Sequence, residues 1–211
     1  MFDTIVVFMS NSDLVKGGVV ISAIWWAWFC QKGEPGKIRS YLLSALLGSL
    51  VALIFARVLA HALPPRIRPV LDPTLHFRPP FGLPEQSNWT VWSSFPSDHA
   101  ALFFALAMGV WLASTRAGLA LIGYVAVCIC LPRIYIGIHY PTDIVAGAGL
   151  GVLCVLICSW RRVREIWTPP VLNWIERRPS LGYALLFLIT FQIATLFWDI
   201  RTFLYIFDIS V

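Results

Sequence analysis

Arg133-Ile-Tyr-Ile-Gly137-Ile-His139-Tyr-Pro141-Thr-Asp143 places a guanidinium, an imidazole and a carboxylate close together in a chain that is otherwise mostly apolar. Apolar runs flank it on both sides. Pro141 suits the first turn of a helix, where a backbone N–H would have no partner anyway. His139 is therefore expected just ahead of a helix N-terminus and Asp143 about one turn inside it, within reach of the ring. A carboxylate on one ring nitrogen fixes the tautomer and leaves the other nitrogen free, which makes a histidine a nucleophile. The helix N-terminus and Arg133 both favour an anion beside them, so the group attacked is expected to be a phosphate.

The chain around this stretch has 211 residues, of which 58% are hydrophobic and 13% charged, with a mean hydropathy of +0.75. Ordinary soluble domains carry roughly a quarter charged residues, so the composition excludes that class and predicts an all-α integral membrane protein, one domain over 1–211. The net charge of +5 does not point to nucleic acid, because the basic residues lie in short clusters between apolar runs and not on one long face. Cys30, Cys128, Cys130, Cys154 and Cys158 fall in or beside apolar runs without polar company and read as small hydrophobes, not ligands or disulfides. Met1 to Asp13 carries Asp3 and Asp13 and no basic residue, so it is not expected to be a cleavable signal peptide.

Apolar runs at Leu14–Cys30, Ser40–Leu63, Ala100–Ser114, Ala117–Leu131, Ile144–Trp160 and Leu181–Trp198 predict six transmembrane helices, the fourth extending toward Ile138 with Arg133 on its inner side. Lys32, Lys37, Arg39, Arg116, Arg161, Arg162, Arg164, Arg177 and Arg178 fall on one side of these runs. Lys16, Arg66, Arg68, Arg78, Arg133 and Arg201 fall on the other. The richer side is predicted to be cytoplasmic, which turns both termini and the 133–143 stretch outward. The connection from Pro64 to Phe95 is also outer and rich in Pro and aromatics, including Phe77, Pro84, Trp89 and Trp92. A loop of that length is usually functional, and it is expected either to line the entrance for a lipid or to form an interfacial belt. The inner loop Arg161–Ser180, with Trp167 and Trp174 among its arginines, is expected to rest on anionic headgroups.

Phe95-Pro96-Ser97-Asp98-His99 brings a second histidine to the outer end of the third run. Ser97 and the free N–H groups of that helix start can grip phosphate oxygens, and His99 can donate a proton. Arg57, Arg66 and Arg68-Pro69 converge on the same face from the end of the second run. A lone histidine or arginine in such a chain is usually structural, as is expected of His61 and His76. A cluster of two histidines, several arginines, a serine and a carboxylate at the ends of separate helices is costly to place in a membrane and marks function.

These residues resemble the type 2 phosphatidic acid phosphatases, the PAP2 family, whose signatures are Lys-x6-Arg-Pro, Pro-Ser-Gly-His and Ser-Arg-x5-His-x3-Asp. Arg133, His139 and Asp143 match the third, with Pro132 in place of serine; Pro96, Ser97 and His99 match the second, with Asp98 in place of glycine. The first survives only as Arg68-Pro69, with His61 at the lysine position, so Arg57 or Arg66 is expected to supply the missing cation. The resemblance implies a six-helix bundle of the PAP2/haloperoxidase type in which His139 attacks phosphorus and Asp143 orients its ring. His99 protonates the leaving oxygen and then activates water, while Arg68, Arg133, Ser97 and Arg57 or Arg66 hold the phosphate.

No metal and no cofactor are expected, since Asp98 and Asp143 are the only acids near the site. The partners are expected to be a lipid phosphate substrate and the surrounding membrane lipids, with no nucleic acid, at a bacterial inner membrane and on its outer face. The Ser97-Asp98-His99 variant is similar to undecaprenyl diphosphate phosphatases, with Asp98 a candidate for substrate tuning. Phosphatidylglycerophosphate, phosphatidic acid and lipid A phosphates are the alternatives, by hydrolysis or phosphoryl transfer. The vanadate-dependent haloperoxidases share this site architecture but are soluble, which six apolar runs argue against. A transporter or lipid-binding protein without chemistry is the reading from another class, and the His139/Asp143 pair is the feature it does not require.

Overall fold

The computed structural model describes residues 1–30, 34–82 and 93–198, and every regular element among them is helical. Lys32, Pro84, Trp89, Trp92 and Arg201 lie outside the described residues. In chain order the helices are α1 (Phe2–Asn11), α2 (Val19–Phe29), entered through a π turn at Leu14–Gly18, α3 (Pro35–Ala62), α4 (Asp98–Ala113), α5 (Thr115–Tyr124), α6 (Leu131–Tyr135), α7 (Pro141–Ser159), α8 (Arg161–Arg177) and α9 (Pro179–Ala194). A π segment, Val125–Cys130, joins α5 to α6 into one continuous rod, so Arg133 rides on the extension expected of it.

Three described helical stretches, Pro35–Ala62, Thr115–Tyr135 and Pro141–Ser159, are long and apolar enough to cross a membrane. A fourth is reached if α1 and Leu14–Phe29, bent by 66° at their junction, count as one span; Asp98–Ala113 and Pro179–Ala194 are apolar but shorter. The chain is an integral membrane protein. The elements start and stop where local chemistry directs. Pro35 opens α3, and α3 ends before Leu63-Pro64-Pro65, where a residue ahead of proline disfavours the helical region.

The centre of the bundle is α4, whose Leu102, Phe103, Leu106 and Val110 are fully buried. It packs chiefly against α3 and α7. The seam with α7 depends on Gly147 and Gly151, a G-x-x-x-G pair: a Cβ at either would collide with the backbone of Ser97 or Ala101. Small residues let two backbones approach closely where lipid supplies no hydrophobic drive for association. The seam therefore brings the start of α7 against the start of α4, and the Ser97 N–H donates to the Asp143 carbonyl across it at 3.1 Å.

Two helices lie outside the six apolar runs. α1 lies over the turn after α6, its Val6 and Val7 packed on Ile136 and Ile138, and Asp3 accepts hydrogen bonds from Tyr135 Oη (2.7 Å) and Phe81 N (3.2 Å). α8 occupies 161–177, a stretch expected to be a loop. Arg164 of α8 lies 4.1 Å over the Tyr41 ring, and Arg39 pairs with Glu176 at 3.8 Å. Arg39 and Arg57 are eighteen residues apart on α3, roughly 27 Å at 1.5 Å per residue, so this basic end is remote from the end that carries the histidines.

Candidate active site

His139 sits in the turn between α6 and α7, which Gly137 makes possible by taking a φ of +76°. That turn is held from outside: Val70 N donates to the Gly137 carbonyl at 2.9 Å and Arg68 Nη1 to the Ile138 carbonyl at 3.2 Å. The imidazole is 4% exposed, and its Nδ1 lies 2.9 Å from the Ser94 carbonyl. A carbonyl only accepts, so Nδ1 carries the proton and Nε2 keeps its lone pair. Burial holds the ring below the ordinary imidazole pKa, Arg133 and Arg68 act in the same direction, and Asp143 opposes them. His139 is thus a neutral base at pH 7.

Asp143, expected to orient this ring, stands beside it at ion-pair and not hydrogen-bond distance. Its Oδ2 is 3.7 Å from Nδ1, too long for a hydrogen bond. The carboxylate accepts instead from Tyr140 N at 2.8 Å, capping α7, and from Arg66 Nη1 at 2.6 Å. It is fully buried beside the ring and can balance positive charge there without gripping it. The residue that grips, Ser94, escaped sequence reasoning because it acts through its main chain. Its position is fixed by paired bonds with Arg66, Ser94 N to the Arg66 carbonyl at 3.0 Å and Arg66 N to Ser93 Oγ at 3.2 Å.

His99 stands in the first turn of α4 with a different tether. Asp98 Oδ1 accepts from both the His99 backbone N–H and ring Nδ1, each at 2.8 Å, and Oδ2 accepts from Arg57 Nη2 at 3.0 Å. A carboxylate at Nδ1 fixes the orientation of the ring. Asp98, where the PAP2 signature has glycine, therefore builds an Arg57–Asp98–His99 relay at the mouth of the helix.

The expected phosphate ligands separate into two groups. Arg57 is engaged by Asp98, and Arg66 by Asp143 and Thr142 Oγ1 (2.9 Å), with its guanidinium stacked 4.1 Å over the Tyr140 ring. Each of the two candidates for the missing lysine's role thus already contacts a carboxylate of the site. Arg68 and Arg133, by contrast, each have a buried Nε with no hydrogen-bond partner among the described residues. A buried donor left unmatched costs about 1–3 kcal/mol, and a bound anion is the natural way to recover it. Ser97 is fully buried, and its Oγ caps α4 by accepting from Ala100 N at 3.4 Å; its hydroxyl proton stays available to donate. Among the described residues no three or more His, Cys, Asp or Glu side chains gather as a metal site would.

A buried neutral imidazole, a second imidazole tethered to a carboxylate and two buried guanidiniums are the kinds of group that phosphoryl chemistry uses. The chain is 38% identical over 89 residues to the bacitracin transport permease protein BcrC of Bacillus licheniformis, a match covering 42% of this chain and 40% of that relative. No solved structure matches. The model of the PAP2 superfamily matches residues 39–167, a span that holds Arg57, Arg68, His99, Arg133, His139 and Asp143, and the chain belongs to that superfamily.

Proposed function

We propose that this protein is a membrane lipid phosphatase that hydrolyses a lipid phosphate or diphosphate through a phosphohistidine, with undecaprenyl diphosphate as its substrate and undecaprenyl phosphate as product. The observation that carries the reading is the tautomer of His139: with Nδ1–H committed to the Ser94 carbonyl, Nε2 is an unprotonated nucleophile. Nε2 attacks phosphorus while the bond to the leaving oxygen breaks and His99 Nε2–H delivers a proton to that oxygen. The same nitrogen, now a base, takes a proton from water as the water attacks the phosphohistidine and restores His139. Arg68, Arg133 and Ser97 hold the phosphoryl oxygens, Asp143 balances charge on His139, and Asp98 positions His99.

The bundle crosses the membrane six times, through the Leu14–Phe29 stretch, α3, α4, the Thr115–Tyr135 rod, α7 and α9. The histidines face the periplasm and the basic end of α3 and α8 faces the cytoplasm. Phosphatidylglycerophosphate, phosphatidic acid and lipid A phosphate are the competing substrates, with phosphoryl transfer as the competing reaction. The name of the relative BcrC favours a second reading, transport of a ligand without chemistry. That reading gives no work to a neutral nucleophile beside a tethered acid. Phosphate release by detergent-purified protein in EDTA tests both, comparing the candidate lipids with His139→Ala alongside. Release from undecaprenyl diphosphate that persists in EDTA and is lost in the variant is the expected result. No release from any lipid would favour transport.

A further inference from the structure

One buried cation remains outside the scheme above. Lys16 lies in the π turn Leu14–Gly18 with its side chain 9% exposed, and Asp13 Oδ1 is 3.1 Å from Nζ. An ammonium has three N–H donors, and the half-exposed Asp13 accounts for one of them. A lysine at membrane depth is costly to keep and marks a functional path unless something else explains it.

The turn that carries Lys16 is built to stay in place. It packs against the π segment leading to Arg133, and Tyr124 Oη donates to the Val15 carbonyl at 2.6 Å. The neighbouring Gly17 lies so close to the Ala194 backbone of α9 that any side chain there would collide. Single π turns inside helices recur at functional sites, and here two of them meet.

The cations divide between the two histidines. Arg133 acts on both rings, Arg68 in addition on His139 and Lys16 in addition on His99, with Arg133 and Asp98 also within the electrostatic reach of Lys16. His99 is the group that faces the departing oxygen in the phosphatase reading, on which this inference rests. In a diphosphate the departing group is itself a phosphate, with anionic oxygens that a monophosphate ester lacks. We propose that Lys16 binds the leaving phosphate of a lipid diphosphate and so sets the preference for diphosphates over monophosphates. It occupies the role that neither Arg57 nor Arg66 is placed to take, since Asp98 and Asp143 engage them.

The test is the affinity of purified full-length protein for inorganic diphosphate against inorganic phosphate, followed by intrinsic tryptophan fluorescence, in the wild type and in Lys16→Met, Lys16→Arg and Asp13→Asn. The wild type is expected to prefer diphosphate. Lys16→Met is expected to lose roughly tenfold or more of that preference, as removal of a charged hydrogen bond does, while Lys16→Arg and Asp13→Asn keep it. An unchanged preference in folded Lys16→Met overturns the proposal, and so does an equal loss of both ligands. Lys16→Gln, which removes the charge and keeps a donor, replaces the Met variant if that one does not fold, with the same outcomes deciding. Because the readout needs no turnover, a wild type that hydrolyses no lipid would refute the phosphatase reading and still leave this preference measurable.

Discussion

The two histidines of the site are held in opposite ways. His139 lies in a turn, nearly out of solvent, with its Nδ1 against an uncharged carbonyl; His99 lies on a helix, 15% exposed, with its Nδ1 against a carboxylate that an arginine pins. An uncharged partner in a buried place keeps a ring neutral, which suits a nucleophile. A carboxylate partner suits a ring that, in the proposed reaction, carries a proton and releases it. In the reaction proposed above, the tether of each histidine suits a different half of the chemistry.

The strongest way to break this division is to remove each ring in turn. His139→Ala is expected to lower phosphate release by on the order of 10⁴ or more with every substrate, since no step precedes the attack. His99→Ala is expected to cost about 10²–10⁴ with a lipid monophosphate such as phosphatidic acid, whose alkoxide leaving group needs a proton, but much less with an aryl phosphate, whose leaving group does not. Equal losses on both substrates would show that His99 does not act as the acid. Asp98→Asn should follow the pattern of His99 at smaller scale, about tenfold on the lipid and near wild type on the aryl phosphate, measured as kcat. A loss confined to KM would move Asp98 to substrate binding.

The smallest effect concerns pH. Burial lowers the proton affinity of His139 in the folded protein, so protonation removes the nucleophile only below the ordinary imidazole value of about 6.5. The acid limb of kcat/KM is accordingly expected below pH 6.5, with activity falling as the pH drops through it. An acid limb above 6.5 would mean that the Ser94 tether does not govern this ring.

The apolar spans were legible in the sequence because a membrane imposes length and composition directly, as in Pro35–Ala62 and Pro141–Ser159. His99, His139 and Asp143 could be singled out in the sequence because ionisable groups are costly to place beside apolar runs. α1 and α8 were not legible. α8 carries Pro169 and Pro170 inside its range, which argue for a break on local grounds, and it is held by packing on α3 and α9. The partners of the site residues were hidden for a different reason. Asp143 and His139 have the spacing of a direct pair, yet the ring turns to Ser94, a residue forty-five positions away whose side chain plays no part. Lys16 was visible only as one more basic residue near a span, because nothing in its neighbours says that the turn faces Arg133.

Gly147 and Gly151 contribute no functional group, yet they determine how near α7 comes to α4, and those helices begin beside His139 and at His99. The spacing of the two imidazoles is therefore encoded in the oily interior, where two hydrogen atoms stand in for side chains. Enlarging either glycine would act as a wedge that spreads the jaws of the site while leaving every reactive atom intact.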